Sequence, residues 1–426
     1  MRTEHRNFKY RIYPTPEQEK LLLRWEGILR FLWNLAHEQR LMGLARPKSE
    51  RVFPSYYQQK REMTQLLEEY PWIEIVQCQA RQETLADLDK AWSRCFKKLA
   101  RRPHFKRRGD AMRIYAPSTV PFTVEGDRKT GRLSFEGPRY KPLGVLKIVL
   151  DRPILGTVTS WSIKRSLNEW YALPGCDIQM PDSTPVNDKA VGLDRGVAVF
   201  LADSDGGMVP NLRAREKLDQ RIARAQRQVE RKKKGSQNQK KARLKVAKLA
   251  RLAARQREVA IGTASKFYAE NYGTVVIEKL NIKGMTASAK GDLENPGTNV
   301  AQKSGLNKAI LDVGWGKFGD ALKYKVTDRG GRLLEVNPAG TSQTCPECKF
   351  RDPESRITQS LFRCTQCGHE ENADTVGAKN IKERGLNLLA PPEPKKRVKT
   401  FQRGRKPKLV ETAVKPTVVL PTEVTS

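Results

Sequence analysis

The stretch "CPECKFRDPESRITQSLFRCTQCGHEENAD", Cys345 to Asp374, carries four of the chain's seven cysteines in two C-x2-C pairs separated by fifteen residues, with an aspartate seven positions after the last cysteine. Four thiolates at that spacing suit tetrahedral Zn²⁺ and leave no coordination position open for chemistry. Cys345, Cys348, Cys364 and Cys367 therefore read as a structural clamp. An iron centre of rubredoxin type takes the same ligands, and a pair of disulfides is the third alternative. His369 is surplus to a four-sulfur set and reads as a surface residue. Cys78, Cys95 and Cys176 stand singly, as ordinary buried thiols do.

Around this stretch lies a strongly basic chain. At 426 residues and 38% hydrophobic content it is long enough for two to four domains and a sizeable core. Its 80 Lys and Arg against 47 Asp and Glu give a formal net charge of +33, a surplus that calls for a polyanionic partner. Nucleic acid is the leading candidate and a membrane surface the rival. Against the membrane, no uninterrupted apolar run approaches about 18 residues, and "MRTEHRNFKYRIYP" has no signal-peptide pattern. The expectation is a soluble, cytoplasmic protein, where paired cysteines bind metal rather than each other.

Upstream of the clamp the patterning changes several times. "NFKYRIYP" alternates as a short strand and gives way to a helix at "TPEQEKLLLRWEGILRFLWNLAHEQRL", with Thr15 as N-cap, Pro16 at the first position and Gln18 closing a capping box. Helical character continues to about Leu99. Past "RRPHFKRRGD" the period becomes two: "FTVEGDRKTGRLSF", "VLKIVL" and "SWSIKRSLNEWYAL" describe a barrel-like β-rich unit over 105–180, completed by the first strand. "PDSTPVNDKA" reads as a linker, after which "AVGLDRGVAVFLADSDG" opens a βα pattern. Between Arg213 and Arg257 there are 18 Lys and Arg against 3 Asp and Glu. Leu218, Ile222, Ala225 and Val229, then Val246, Leu249 and Ala253, form the narrow seam of a helical hairpin with basic faces. Such a surface repels itself unless phosphates neutralise it, so Arg231, Lys232, Lys233, Lys234, Lys240 and Lys241 around its turn are candidate nucleic-acid contacts. The Pro- and Lys-rich segment 389–426 reads as a disordered basic tail.

Three acids stand out by position. Asp194 ends the apolar strand "AVGLD", followed by a turn at Arg195 and Gly196 that lets backbone approach a ligand. Glu278 ends "TVVIE", and Asp374 opens a helix capped by Asn372 with Ala378 and Ile381 facing inwards. Phosphodiester hydrolysis by two metal ions uses hard oxygen ligands from separate elements to hold the ions about 4 Å apart. Each acid taken singly also suits a turn or a helix cap.

The segments "YRIYPTPEQEKLLLRW", "PHFKRRG", "VGLDRGVAVFLADSDG", "VVIEKLNIKGM", "GWGKFGDALKYKVTDRGGRLLEVNPAGTSQTCPEC" and "FRCTQCGHEENADTVGAKNI" resemble, in order and spacing, the TnpB proteins of insertion sequences, which are RNA-guided DNA endonucleases related to type V CRISPR effectors. The resemblance spans roughly residues 8 to 385. It implies a multidomain α+β fold: a β-barrel wedge domain (1–14 and 105–182), a helical recognition lobe (15–104), a RuvC-like, RNase H-like α/β nuclease domain (183–344 and 368–388) and an inserted zinc ribbon (345–367). It further implies Asp194, Glu278 and Asp374 as catalytic ligands of two Mg²⁺ or Mn²⁺, a structural Zn²⁺ at the four cysteines, and Arg363 as a match to an arginine of the family's ribbon. The implied partners are a guide RNA and double-stranded target DNA with a short adjacent motif, bound by a monomer at the nucleoid. Many relatives have Asp-Arg-Asp followed by Asn-Ala-Ala where this chain has Asn372-Ala373-Asp374 and then Gly377-Ala378; the acid is kept and its positioning is what the change touches. A nuclease-inactive RNA-guided regulator and an unguided transposition accessory protein are the alternatives. Regulators of that kind lack one or more acids, and this chain lacks none.

Overall fold

Two strands, not one, precede the first helix: β1 (Arg2–Asn7) and β2 (Tyr10–Tyr13). The computed structural model describes residues 2–127, 130–180, 185, 187–291 and 294–389, so the expected tail from 390 onward and half of the expected linker at 181–190 lie outside the described residues. Residues up to Gly385 form one unit, and Leu386 begins a second.

The capping box forms as expected. Gln18 N donates to Thr15 Oγ1 at 3.3 Å and Thr15 N to the Gln18 side chain at 2.9 Å, starting α1 (Pro16–Ala45). α2 (Tyr56–Glu69) and α3 (Cys78–Phe96) follow. Then come β3 (Arg113–Pro117), β4 (Phe122–Gly126), β5 (Gly131–Phe135), β6 (Leu146–Val149), β7 (Thr157–Ser166) and β8 (Glu169–Met180). These join β1 and β2 in one sheet ordered β3-β7-β8-β2-β6-β5-β4, with β1 also on β8. The N-terminal strand is thus a central member. Among the described residues no ladder joins the end strands β3 and β4. Helices and sheet share one core, in which Leu22, Trp25, Leu29 and Leu32 of α1 meet Tyr10, Ile12, Ile148, Trp161 and Trp170 of the strands.

A second sheet begins at β9 (Ala190–Asp194). The expected βα pattern is instead a meander, β9 to β10 (Val199–Asp203) to β11 (Met208–Pro210). The reason is local: Asp203 Oδ1 accepts from the amides of Asp205 and Gly207, and Gly206 takes φ 92°, so "DSDGG" closes a tight hairpin. α4 (Glu216–Glu230) and α5 (Gln237–Asn271) make the basic hairpin, with Leu218, Ile222 and Ala253 buried in its seam. β12 (Thr274–Glu278), α6 (Ile282–Met285), α7 (Val300–Val313), α8 (Trp315–Asp328) and β13 (Arg332–Val336) complete the layer, giving the order β11-β10-β9-β12-β13. β9, β12 and β13 are parallel; β10 and β11 are antiparallel. β14 (Leu361–Arg363) and β15 (Glu370–Asn372) lead into α9 (Ala373–Leu389). No helix among the described residues is long and apolar enough to cross a membrane.

Strand alternation sorts the second sheet's faces. Val191, Leu193, Val275 and Ile277 point into the core with Ile261 and Tyr268 of α5 and Phe318 and Leu322 of α8. Val276 points the other way, onto Ile381 of α9. By the same period-two rule Asp194 and Glu278 face α9.

Candidate active site and metal clamp

The parallel ladder pairs Leu193 with Ile277, so the next residues of the two strands, Asp194 and Glu278, stand side by side where β9 and β12 end. α9 supplies the third acid. Its approach is close because glycines line the contact: a Cβ on Gly192 would sit 2.1 Å from the Ala378 carbonyl, and one on Gly377 would sit 2.8 Å from Asp194 Oδ2. Asn372 Oδ1 accepts from the amides of Asp374 and Thr375 at 2.9 and 3.3 Å, so the expected cap is present and Asp374 lies in the first turn, at the positive end of the helix.

The acids feel one another. Burial, then the neighbouring charges of Glu278 and Asp374, push Asp194 up to about 7 against the opposing pull of Arg356. Glu278 is also raised, chiefly by burial; its Oε1 accepts a 2.8 Å hydrogen bond from Thr341 Oγ1, which with Arg195 works the other way. Arg195 is buried and donates to the Glu278 and Trp315 carbonyls, so it braces the strand end rather than facing a ligand. Gly196 likewise serves the chain itself: a Cβ there would meet the Val199 carbonyl at 2.6 Å, and the expected ligand approach at this turn is a backbone contact instead.

The cysteines lie on two turns with matching hydrogen bonds. Lys349 N donates to Cys345 O and Cys345 N to Phe350 O; in the second turn Gly368 N donates to Cys364 O and Cys364 N to His369 O. Lys349 and Gly368, each directly after a second cysteine, both take positive φ, 62° and 76°. The four sulfurs lie within 4.8 Å of one another, with Cys345 to Cys367 at 3.6 Å and Cys348 to Cys364 at 3.5 Å. A tetrahedron of about 2.3 Å Zn–S bonds has S···S edges near 3.8 Å, so this group could hold a zinc ion. The Cys367 amide, aimed at Cys364 Sγ, pulls that thiol down to about 6, while burial raises Cys345. His369 is outside the sulfur set; its Nε2 lies 3.1 Å from Glu371, which Lys379 of α9 also holds. The clamp is tied to α9 by Lys349–Glu383, by Asn380 donating to the Thr341 and Thr344 carbonyls, and by Val376 packing on Cys345, Cys364 and Phe362.

Arg363 is paired with Glu370 on the neighbouring strand at 2.7 Å. The arginine that meets the acids is Arg356, 3.3 Å from Asp374 Oδ1. Nothing local singles it out in "DPESRITQS"; only the folding of the segment between the two knuckles brings it there. Thr341 is equally silent, whereas Gly377 stands out in the sequence as part of the departure from the family pattern. Arg231, Lys232, Lys233, Lys234, Lys240 and Lys241 are all exposed around the hairpin turn, where Gly235 takes φ 82°.

Three family models match the chain: one described as a helix-turn-helix domain over residues 1–41, one as a probable transposase over 175–289, and one as Cas12f1-like, TNB domain over 315–381. A protein of Escherichia coli strain K12 named putative RNA-guided DNA endonuclease InsQ is 35% identical over 393 residues, covering 90% of this chain and 93% of its own. The chain belongs to the TnpB family. A second TnpB-like relative, a putative RNA-guided DNA endonuclease of Streptomyces pristinaespiralis, is 28% identical over 92% of each chain. In fold, the TnpB chain is similar to Cas12f1 as solved in a complex with sgRNA and target DNA, at a TM-score of 0.53 and 13% identity over 89% of this chain and 99% of that one. In this TnpB protein residues 2–41 are two strands and most of α1, not a helix-turn-helix pair.

Proposed function

We propose that this protein is an RNA-guided DNA endonuclease and that Asp194, Glu278 and Asp374 are its catalytic acids. The relatives' names support the activity. The site assignment is carried by one observation: acids from three distant stretches converge at the ends of β9 and β12, with Gly377 leaving room for the Asp194 carboxylate beside α9. Three hard oxygen donors, largely buried and facing one another so that Asp194 resists ionisation, fit divalent cations. Two Mg²⁺ or Mn²⁺ bound there would supply an activated water and charge neutralisation at the leaving oxygen. The chain's own residues fix the geometry. The Thr341 hydroxyl ties down one oxygen of Glu278, Asn380 holds the loop bearing Thr341, and Arg356 is a cation poised for phosphate charge beside Asp374.

The five-strand order fits a RuvC-like nuclease domain over 183–344 and 368–388, with 345–367 as a zinc ribbon that aims α9. The sheet built around β2 fits a wedge domain, and α1 to α3 a recognition lobe. Base pairing with a guide would carry target specificity, so the protein needs only backbone contacts and the reading of a short adjacent motif. The exposed cations of the α4–α5 hairpin suit such contacts, in a monomer that encloses guide and target at the nucleoid.

Cleavage and binding measured on one Asp194→Ala preparation, with guide RNA and Mg²⁺, test the reading. Cutting should vanish while guided DNA binding persists. Wild-type cutting by the variant would remove Asp194 from the site, and a wild-type protein that binds guided DNA yet never cuts would make it a regulator.

A further inference from the structure

Between α3 and the first sheet runs "RRPHFKRRGD", residues 101–110, with five Lys and Arg before its single acid. A connection of that charge would be expected to wave in solvent. It is instead fastened to α1 like a strap. Trp33 Nε1 donates to the His104 carbonyl at 3.1 Å, Asn34 exchanges two hydrogen bonds with the Lys106 backbone at 2.7 and 3.0 Å, and Arg30 donates to the Asp110 carbonyl at 2.9 Å. Lys106 Nζ lies 4.6 Å from the centre of the Trp33 ring. From the sheet side, Arg165 of β7 reaches across to donate to the Gly109 carbonyl at 3.0 Å.

Beneath the strap is a fully buried carboxylate, Glu26, which ion-pairs with Arg165 at 2.9 Å and Arg30 at 3.5 Å and accepts from Met112 N. One acid and three carbonyls, those of Asp110, Gly109 and Leu167, therefore hold two guanidinium groups in fixed poses, and each group carries five N–H donors, not all of which these partners use. Both arginines line a cavity of about 720 Å³ whose charged lining is Lys20, Arg24, Arg30, Arg108 and Arg165, against the lone carboxylate of Glu17. Lys20, Arg24 and Arg108 are exposed at its mouth.

We propose that this cavity grips the phosphodiester backbone of a nucleic-acid strand, with Arg30 and Arg165 as the fixed floor and Lys20, Arg24 and Arg108 as the adaptable rim. Planar guanidinium forks already oriented by the protein match phosphate oxygens and lose little freedom on binding. Cations spread from floor to mouth suit a chain of charges better than a single small anion. Leu21 and Leu23 in the lining offer apolar surface to the sugars. Bases are not read here, so the grip is independent of sequence. The proposal rests on the nucleic-acid reading above and names where on the protein part of that contact is made.

The test needs neither guide nor cleavage. Affinity for a fluorescein-labelled single-stranded RNA homopolymer, and for a DNA homopolymer of equal length, is measured against salt for three proteins: wild type, Lys20→Gln/Arg24→Gln/Arg108→Gln, and a charge-matched control, Lys266→Gln/Lys308→Gln/Lys323→Gln. All six positions are exposed, so both variants should fold. The rim variant should lose slope in log K against log salt by about 0.7 units for each phosphate contact removed, beyond any loss in the control. Loss with RNA alone assigns the cavity to an RNA strand, loss with DNA alone to a DNA strand, and loss with both to a shared backbone contact. A neutral methylphosphonate linkage walked along the responsive strand should weaken wild type at one or two positions and leave the rim variant indifferent there. Equal slopes for rim variant and control, or no linkage that separates them, would overturn the proposal. A wild type that binds these probes with full slope but never cuts guided DNA would break the endonuclease reading and leave the cavity standing.

Discussion

The cysteine clamp and the acidic cluster share one short run of chain, which ends in Asp374, and are built in opposite ways. The clamp's sulfurs sit on two six-residue turns whose hydrogen bonds are internal, and they are gathered within 4.8 Å. The acids come from β9, β12 and α9 and form no such tight group; among the described residues only the cysteines do. Local backbone makes each turn of the first arrangement, and Val376 of α9 packs on the joined pair. The whole sheet must form before the second exists, and its like charges then oppose the packing that assembles it. α9 links the two: it packs on the clamp, and it completes the acids.

Breaking the clamp should show that link most strongly. Cys364→Ser should release about one metal ion per chain, seen by elemental analysis, and abolish cutting through loss of α9 docking, because structural zinc contributes on the order of 10 kcal/mol of folding free energy. Retained thermal stability and cutting would sever the two regions. Next in size is Gly377→Ala. The added Cβ, 2.8 Å from Asp194 Oδ2, must displace the carboxylate, and misplacement of that order costs roughly 100-fold in rate. Metal content and guided binding should hold. An unchanged cutting rate would mean that α9 yields instead. The smallest effect concerns the acids alone: with divalent ions chelated and zinc retained, Asp194→Asn should raise the melting temperature by a few degrees, since it removes a buried charge facing Glu278 and Asp374. A lower melting temperature would show that the carboxylate is a net stabiliser.

The same contrast explains what could be read from the sequence. Features fixed by a few consecutive residues were legible: the Thr15 capping box, the hairpin seam, the cysteine spacing and the Asn372 cap. The acids were legible too, as polar ends of apolar strands, once their order was matched to a family. Features decided at a distance were not. β1, "RTEHRN", has no apolar alternation and is a strand only because β8 extends past β2 to pair with it. The meander at β10 and β11 looked like the start of a βα unit because its turn chemistry, Asp203 accepting from two amides, was not weighed against the apolar run before it. Arg363 was legible only as a match to the family's ribbon arginine, and Arg356 not at all: strand pairing turns Arg363 onto Glu370, and the knuckle fold turns Arg356 onto Asp374. The strap's charge was plain, and its attachment to Trp33 and Asn34 was not.

One element joins regions that the chain order keeps apart. α5 runs 35 residues without interruption, about 52 Å at 1.5 Å per residue. Its first turns carry the exposed cations after Gly235; its last turns are buried, and Tyr268 there donates to Asp203 at the end of the strand paired with β9. Its middle is fastened as well: Arg251 and Arg255 reach Glu169 and Tyr171 of β8, and Arg257 pairs with Asp312 of α7. A helix pinned at its middle and at its root is a strut between the two sheets, and only its basic tip stands clear of them.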